Sequence, residues 1–132
     1  MTDNKLGIVA RQEISYDLFE GILVTALEGG SNYWYMLDLN DMGVPKEKYA
    51  GEPLSVKVAK MIWYDRINLR VMDAEEEGVL LGEVNLTTIK TAFEIICSQY
   101  PATYLNLIKE EYDADDADVF FQIATMGEIT FG

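Results

Sequence analysis

Six carboxylates form the densest group of potential ligands in this 132-residue chain: Glu110, Glu111, Asp113, Asp115, Asp116 and Asp118. Oxygen ligands at such spacing could hold Ca²⁺ or Mg²⁺. An EF-hand loop starting at Asp113 would need glycine at its sixth position and glutamate at its twelfth, where Asp118 and Ala124 stand. Because this pattern fails, we expect no metal site. Asp115 and Asp116 instead suit the positive end of the helix that follows them.

The residue types that the chain lacks exclude several kinds of catalytic and metal site. The absence of histidine rules out Ser-His-Asp triads and histidine-ligated zinc. The single cysteine, Cys97, rules out iron–sulfur clusters, and its apolar neighbours predict a buried thiol. No G-x-G-x-x-G or G-x-x-x-x-G-K-S/T phosphate loop is present. A carboxylate-based enzyme is therefore the least favoured interpretation, and we expect a non-enzymatic protein without a cofactor.

The charge is strongly negative, with 23 acidic and 10 basic residues and a net charge of −13. Such a field repels nucleic acid and anionic membranes and favours basic partners. One hypothesis is an acidic inhibitor, a nucleic-acid mimic that binds a basic protein surface. Its contacts would be Asp113, Asp115, Asp116 and Asp118, together with residues 75–77. A solvated acidic surface is the plainer alternative.

Basic residues are concentrated in one short window. Lys57, Lys60, Arg66 and Arg70 share it with a single acid, Asp65, which makes a local charge of +3. If paired strands carry them, these cations could converge beside Trp63 and Tyr64. Arginine matches phosphate, and aromatic faces stack on nucleobases, so the ligand would be nucleotide-like. The alternative is the solvated face of an antiparallel sheet.

A second aromatic stretch follows a glycine pair. Gly29 and Gly30 allow a backbone to approach closely, and Tyr33, Trp34 and Tyr35 offer stacking surface with polar tips. Core packing after a helix end explains the same residues equally well. The full set of candidate ligand-binding residues is Tyr33, Trp34, Trp63, Tyr64, Arg66 and Arg70.

These residues must be positioned by helices at both ends of the chain. Ser15 can cap a helix over 16–28, and the glycine pair can form a left-handed C-cap. Asn85 or Thr87 can cap a later helix, and Pro101 separates it from a short one. The last helix runs from about Asp115 to Met126, stops at Gly127 and is apolar on most sides, which predicts a core element or an oligomer contact.

Strands are predicted between these helices and after the last one. Alternating or β-rich patterns cover 32–38, 54–58, 67–71, 79–84 and 129–131, with a loop over 40–53 and an acidic hairpin tip over 73–78. The order predicts one α+β domain over 1–132. Its twisted antiparallel sheet of about three to five strands would pack against the N- and C-terminal helices. Deleting residues 128–132 is expected to unfold or dissociate the protein.

Two blocks of sequence resemble a known family. Glu28-Gly-Gly-Ser-Asn-Tyr-Trp34 and the segment from Asp115 to Gly132 resemble a GG-x-x-YW block and a C-terminal AD-x-x-x-Q…G-E…F/Y-G pattern. These are found in a family of small, acidic, largely uncharacterised bacteriophage proteins. Met126 stands where that pattern has phenylalanine before Gly-Glu. The resemblance supplies no catalytic residues, and it implies a phage accessory protein that acts in the host bacterial cytoplasm.

Two functions follow from these observations. The favoured hypothesis is an anti-defence protein whose homo-oligomer sequesters a nucleotide-like immune signal in a pocket. The alternative is the acidic inhibitor of a basic host protein described above. Neither hypothesis involves direct nucleic-acid or membrane binding.

Overall fold

A computed structural model describes residues 4–6 and 11–132 and has the predicted α+β fold. Five α-helices and one three-stranded antiparallel sheet occur in the described residues. In chain order, the elements are α1 Tyr16–Thr25, a π-helical turn Ala26–Gly30, β1 Tyr35–Asp38, α2 Leu54–Tyr64, β2 Leu69–Asp73, β3 Leu80–Val84, α3 Leu86–Gln99, α4 Pro101–Ile108 and α5 Ala114–Met126. Among these, no helix is both long and apolar enough to span a membrane.

The sheet has the strand order β1-β2-β3 and two unlike faces. Residues that lie opposite each other in a ladder share a face. Leu37, Val71 and Gly82 form one such row on the inner face, where Gly82 lies against the backbone of Thr125 in α5. A missing side chain at Gly82 therefore lets helix and sheet approach closely. The opposite row belongs to the outer face, described below.

The N-terminal helix begins as predicted and ends differently. Ser15 Oγ accepts a hydrogen bond from Leu18 N at 3.1 Å, which caps α1. The expected left-handed glycine cap is wrong, because the chain continues from α1 into the π-helical turn up to Gly30. The wider turn carries Gly30 against α5, so this glycine serves packing and not helix termination.

The strand predicted over 54–58 is wrong, because this segment belongs to helix α2. Leu54, Val56 and Val58 alternate with polar residues, but the buried residues of α2 recur at helical spacing: Ser55, Val58, Ala59 and Ile62. Packing of this stripe against α1 outweighs the β-propensity of the valines. The loop over 40–53 and the hairpin formed by β2 and β3 agree with the prediction.

The C-terminal helices begin and end close to their predicted positions. Asn85 caps α3 in a capping box with Thr88, and Gly127 ends α5 in the left-handed conformation with φ 81°. The buried stripe of α3 consists of Ile89, Ala92, Phe93 and Ile96. Cys97 lies just off this stripe and is exposed, so the prediction of a buried thiol is wrong.

Helix α5 is the central element of the core. Seven of its residues are buried: Ala117, Phe120, Phe121, Gln122, Ile123, Ala124 and Thr125. It contacts α1, the π-helical turn, β3, α3 and α4. A helix surrounded in this way must be apolar on most of its circumference, as its sequence predicts.

Candidate functional site

Asp118, on the face of α5 that meets the aromatic stretch, accepts more hydrogen bonds than any other carboxylate in the described part of the chain. Its carboxylate accepts hydrogen bonds from Ser31 Oγ at 2.7 Å and Trp34 Nε1 at 2.8 Å. It also accepts from Tyr33 Oη at 2.8 Å and Gln122 Nε2 at 2.9 Å. Four donors saturate the carboxylate without a basic residue.

Gln122 links this cluster to the last residues of the chain. Its amide oxygen accepts from the backbone N–H groups of Thr130 and Phe131, both at 2.8 Å. Its amide nitrogen donates to the Phe131 carbonyl oxygen at 2.9 Å. The strand predicted over 129–131 is wrong, because the glutamine side chain replaces a neighbouring strand as the partner of this backbone.

Aromatic packing and a glycine complete this junction. Trp34 is 2% exposed, and its ring stacks on Phe131 at a centroid distance of 5.4 Å. A side chain at Gly30 would overlap the carbonyl oxygen of Ala114. The GG-x-x-YW block thus contacts the C-terminal block, and the contacts between the two blocks stabilise the fold. We call this arrangement the terminal junction: Gly30, Ser31, Tyr33, Trp34, Asp118, Gln122 and Phe131.

Two predicted ligand-binding residues, Tyr33 and Trp34, belong to the terminal junction. Trp34 has no free face for a nucleobase, because it is buried among Tyr35, Phe121 and Phe131. Tyr33 is 49% exposed, but its hydroxyl is committed to Asp118. Partial burial, the hydrogen bond to Asp118 and the charge of Asp118 raise the pKa of Tyr33 to about 12.

The other aromatic candidates belong to a separate cluster. Trp63 stacks on Phe19 with a centroid distance of 5.3 Å and meets Tyr16 edge-on at 5.7 Å. Tyr64 also contacts Tyr16, at 5.1 Å, and is 57% exposed. None of these ring contacts includes Tyr33 or Trp34, so the structure does not unite the four aromatic candidates in one cavity.

The basic window does not form the expected anion pocket on paired strands. Lys57 and Lys60 lie on α2, Arg66 follows that helix with φ 58°, and Arg70 lies on β2. Lys60 pairs with Glu52 at 2.6 Å. Arg70 pairs with Asp38 at 2.9 Å and also donates to the Asn40 carbonyl oxygen. Its hydrogen bond lowers the pKa of Asp38, as expected for a carboxylate held beside a guanidinium.

The C-terminal carboxylates split into structural and free groups. The helix-end role predicted for Asp115 and Asp116 is confirmed for Asp116, which forms a capping box with Asp113 at the start of α5. Asp118 is committed to the terminal junction, and Asp115 is exposed and belongs to neither the capping box nor the terminal junction. In residues 4–6 and 11–132, no group of three cysteine, aspartate or glutamate side chains is arranged to hold a metal ion.

A groove of about 630 Å³ lies where β1 meets the hairpin tip. Its acidic lining residues are Asp38, Asp73, Glu75 and Glu77, and its lining includes no basic residue. Met36 and Met72 provide apolar walls. A second cavity, of about 190 Å³, lies beside Glu28 and Ser55, whose side chains are hydrogen-bonded to each other. Its lining also includes no lysine or arginine.

The outer side of the sheet contributes three residues, Met36, Asp38 and Met72, to the lining of the larger groove. Opposite residues build two rows across the three strands: Met36, Met72 and Leu80, and then Asp38, Arg70 and Glu83. Met36 is 57% exposed and Leu80 50% exposed. The register shift between Val71 and Met72 places Leu80 opposite Met72. We use the term outer sheet face for these six residues.

The comparisons with known proteins add no name to this geometry. No family model, curated protein or solved structure matches this chain. The resemblance to bacteriophage proteins therefore stays a prediction.

The sequence predicts the groove's carboxylates in part. Glu75 and Glu77 are among the predicted acidic contacts, whereas Met36, Asp38 and Met72 are not. The alternation of Met36 and Asp38 with Tyr35 and Leu37 is the signal that could have placed them on an open face. The register that unites them with Leu80 cannot be derived from local sequence.

Proposed function

We propose that this protein is a non-enzymatic bacteriophage accessory protein that binds a basic host protein in the bacterial cytoplasm and blocks it stoichiometrically. The observation that carries this proposal is the charge of the larger groove, which four acidic residues line without a lysine or arginine. Three of them, Asp73, Glu75 and Glu77, form no ion pair with the described residues. Unpaired carboxylates around a groove favour a cationic partner.

The pairing of the basic side chains also supports binding of a basic partner. Lys48, Lys60 and Arg70 form ion pairs with Asp65, Glu52 and Asp38. Each of these three cations contacts a carboxylate within the fold, so its charge is already neutralised locally. The surface field is consequently dominated by carboxylates, in keeping with the net charge of −13.

Sequestration of a nucleotide-like signal has less support. Phosphate binding requires cations that are not already committed to carboxylates, and stacking requires an accessible aromatic face. Arg70 is paired, Trp34 is buried, and Trp63 packs in a different cluster. We expect isothermal titration with cyclic dinucleotides and cyclic ADP-ribose isomers to show no binding. Submicromolar binding of any of them would favour sequestration instead.

Capture from bacterial lysate tests the proposed function. The immobilised protein should retain basic host proteins at about 50 mM NaCl and release them at about 500 mM, because screening weakens exposed charge pairs. Beads carrying an unrelated protein of equal net charge control for ion exchange. The proposal is wrong if the protein retains nothing beyond this control, or if its partners are acidic and insensitive to salt.

A further inference from the structure

The outer sheet face combines an exposed apolar row with an acidic border. Met36, Met72 and Leu80 lie side by side across three strands, and the first and last are at least half exposed. Among the described residues, α5 packs on the opposite, inner face of the sheet, where Thr125 lies against Gly82 and Phe121 meets the ring of Tyr35 edge-on. An uncovered row of this kind is typical of a binding surface.

The acidic residues beside this row favour a basic partner. The segment 73–83 contains five acidic residues and no basic one: Asp73, Glu75, Glu76, Glu77 and Glu83. Arg70 is the only cation of the outer sheet face, and Asp38 neutralises it. A second copy of this chain would bring the same carboxylates against themselves, which opposes self-association. Positive charge on the partner removes that repulsion.

We propose that the outer sheet face and the hairpin tip form a docking surface for a basic, amphipathic protein segment. Apolar side chains of this segment contact Met36, Met72 and Leu80, and its lysines or arginines contact Glu75, Glu76 and Glu77. Methionine side chains are flexible and polarizable, so this surface can adapt to different apolar residues. The inference deepens the proposed function, on which it rests, by naming its surface and the partner's chemistry.

The probe is a twelve-residue peptide that alternates lysine and valine, titrated into the ¹⁵N-labelled protein. A peptide that alternates lysine and serine has the same charge without the apolar side chains. We expect the lysine–valine peptide to bind at least about tenfold more tightly. Amide shifts should concentrate at Tyr35–Asp38 and over 72–83. Equal affinity for both peptides, or shifts centred on residues 113–118, would overturn the assignment.

Two triple variants distinguish contacts at the docking surface from the effect of the protein's net charge. E75Q/E76Q/E77Q should weaken binding about tenfold, since each exposed ion pair contributes a small, separate amount. The control E47Q/E111Q/E128Q removes three exposed glutamates that form no ion pair within residues 4–6 and 11–132, and it should change binding less than twofold. Equal weakening by the two triple variants would contradict a defined docking surface.

The apolar row has its own control. Leu80→Ser should weaken binding about fivefold, whereas Leu105→Ser, at the same 50% exposure on α4, should have no effect. Sedimentation of the free protein tests the other occupant: a dimer that Leu80→Ser dissociates would show that a second copy covers the face. If E75Q/E76Q/E77Q captures basic proteins from lysate as well as the wild type does, this surface is refuted and the proposed function stays intact. If the wild type itself captures none, the proposed function is refuted.

Discussion

At the scale of single residues, the molecule depends on one carboxylate that has no cationic partner. Asp118 receives hydrogen bonds from Ser31, Tyr33, Trp34 and Gln122. All four donors come to a single side chain, and Trp34 and Gln122 are almost completely buried. A side chain that offers fewer acceptor positions must leave buried donors without a partner, which is costly.

Asp118→Asn should therefore lower the free energy of unfolding by about 2–4 kcal/mol, because the amide replaces one acceptor oxygen by a competing donor. Urea denaturation measures this change. Asp115→Asn is the matched control, since Asp115 is exposed in the same helical turn, and it should cost under about 1 kcal/mol through the helix dipole alone. Equal losses in the two variants would refute the special role of Asp118.

The hydroxyl of Tyr33 gives a pH-dependent test of the same cluster. Its folded pKa of about 12 lies above the ordinary value of 10.0, so the folded state binds this proton more tightly. The resulting stabilisation is complete below pH 10.0 and is lost as the pH rises towards the folded pKa. The difference between the ultraviolet titrations of the wild type and of Tyr33→Phe should correspond to one tyrosine that ionises near pH 12. Ionisation of Tyr33 near pH 10 would contradict the hydrogen bond.

At the scale of elements, close backbone approaches determine where helices can pack. The π-helical turn brings Gly30 against Ala114 of α5, whereas Gly29 faces open space. Gly30→Ala should therefore destabilise the protein by about 3 kcal/mol or prevent folding, through steric overlap. Gly29→Ala should be neutral or stabilise by up to about 1 kcal/mol, because alanine favours the helical conformation. Thermal denaturation compares them, and similar melting temperatures would refute this packing.

The last residues act as a structural element without being a strand. Deletion of residues 128–132 removes the three hydrogen bonds between Gln122 and the backbone of Thr130 and Phe131, and it uncovers Trp34. We expect a loss of about 3 kcal/mol or more, at about 1 kcal/mol per hydrogen bond plus the aromatic contact. Deletion of Gly132 alone is the control. A truncated protein of unchanged urea midpoint would show that the segment is dispensable.

Helix ends with clear capping signals could be predicted from sequence, whereas long-range arrangements could not. Ser15, Asn85 and Gly127 each have a local physical role, so their positions could be read directly. The alternation over 54–58 misled because a short apolar run has no unique period, and only packing against α1 selects the helix. The contacts of Asp118 span 84–87 residues of sequence, beyond any local pattern.

At the scale of the whole molecule, Lys48, Lys60 and Arg70 are paired with carboxylates, and acidic residues still exceed basic ones by 13. The terminal junction uses the motif residues for stability, and this explains why those motifs did not reveal a ligand site. Asp73, Glu75 and Glu77 line the groove beside the outer sheet face, in which Met36 and Leu80 are exposed. A fold stabilised by this buried network, with an exposed apolar row beside acidic residues, supports the proposed binding role.

The most direct test is the salt dependence of the complex with a captured basic host protein, measured for the wild type and for E75Q/E76Q/E77Q. Affinity of the wild type should fall at least about tenfold between 50 and 500 mM NaCl, roughly the range over which screening removes exposed charge pairs. The variant should bind about tenfold more weakly at low salt and should depend less on salt. An affinity that neither salt nor the substitutions change would contradict the account.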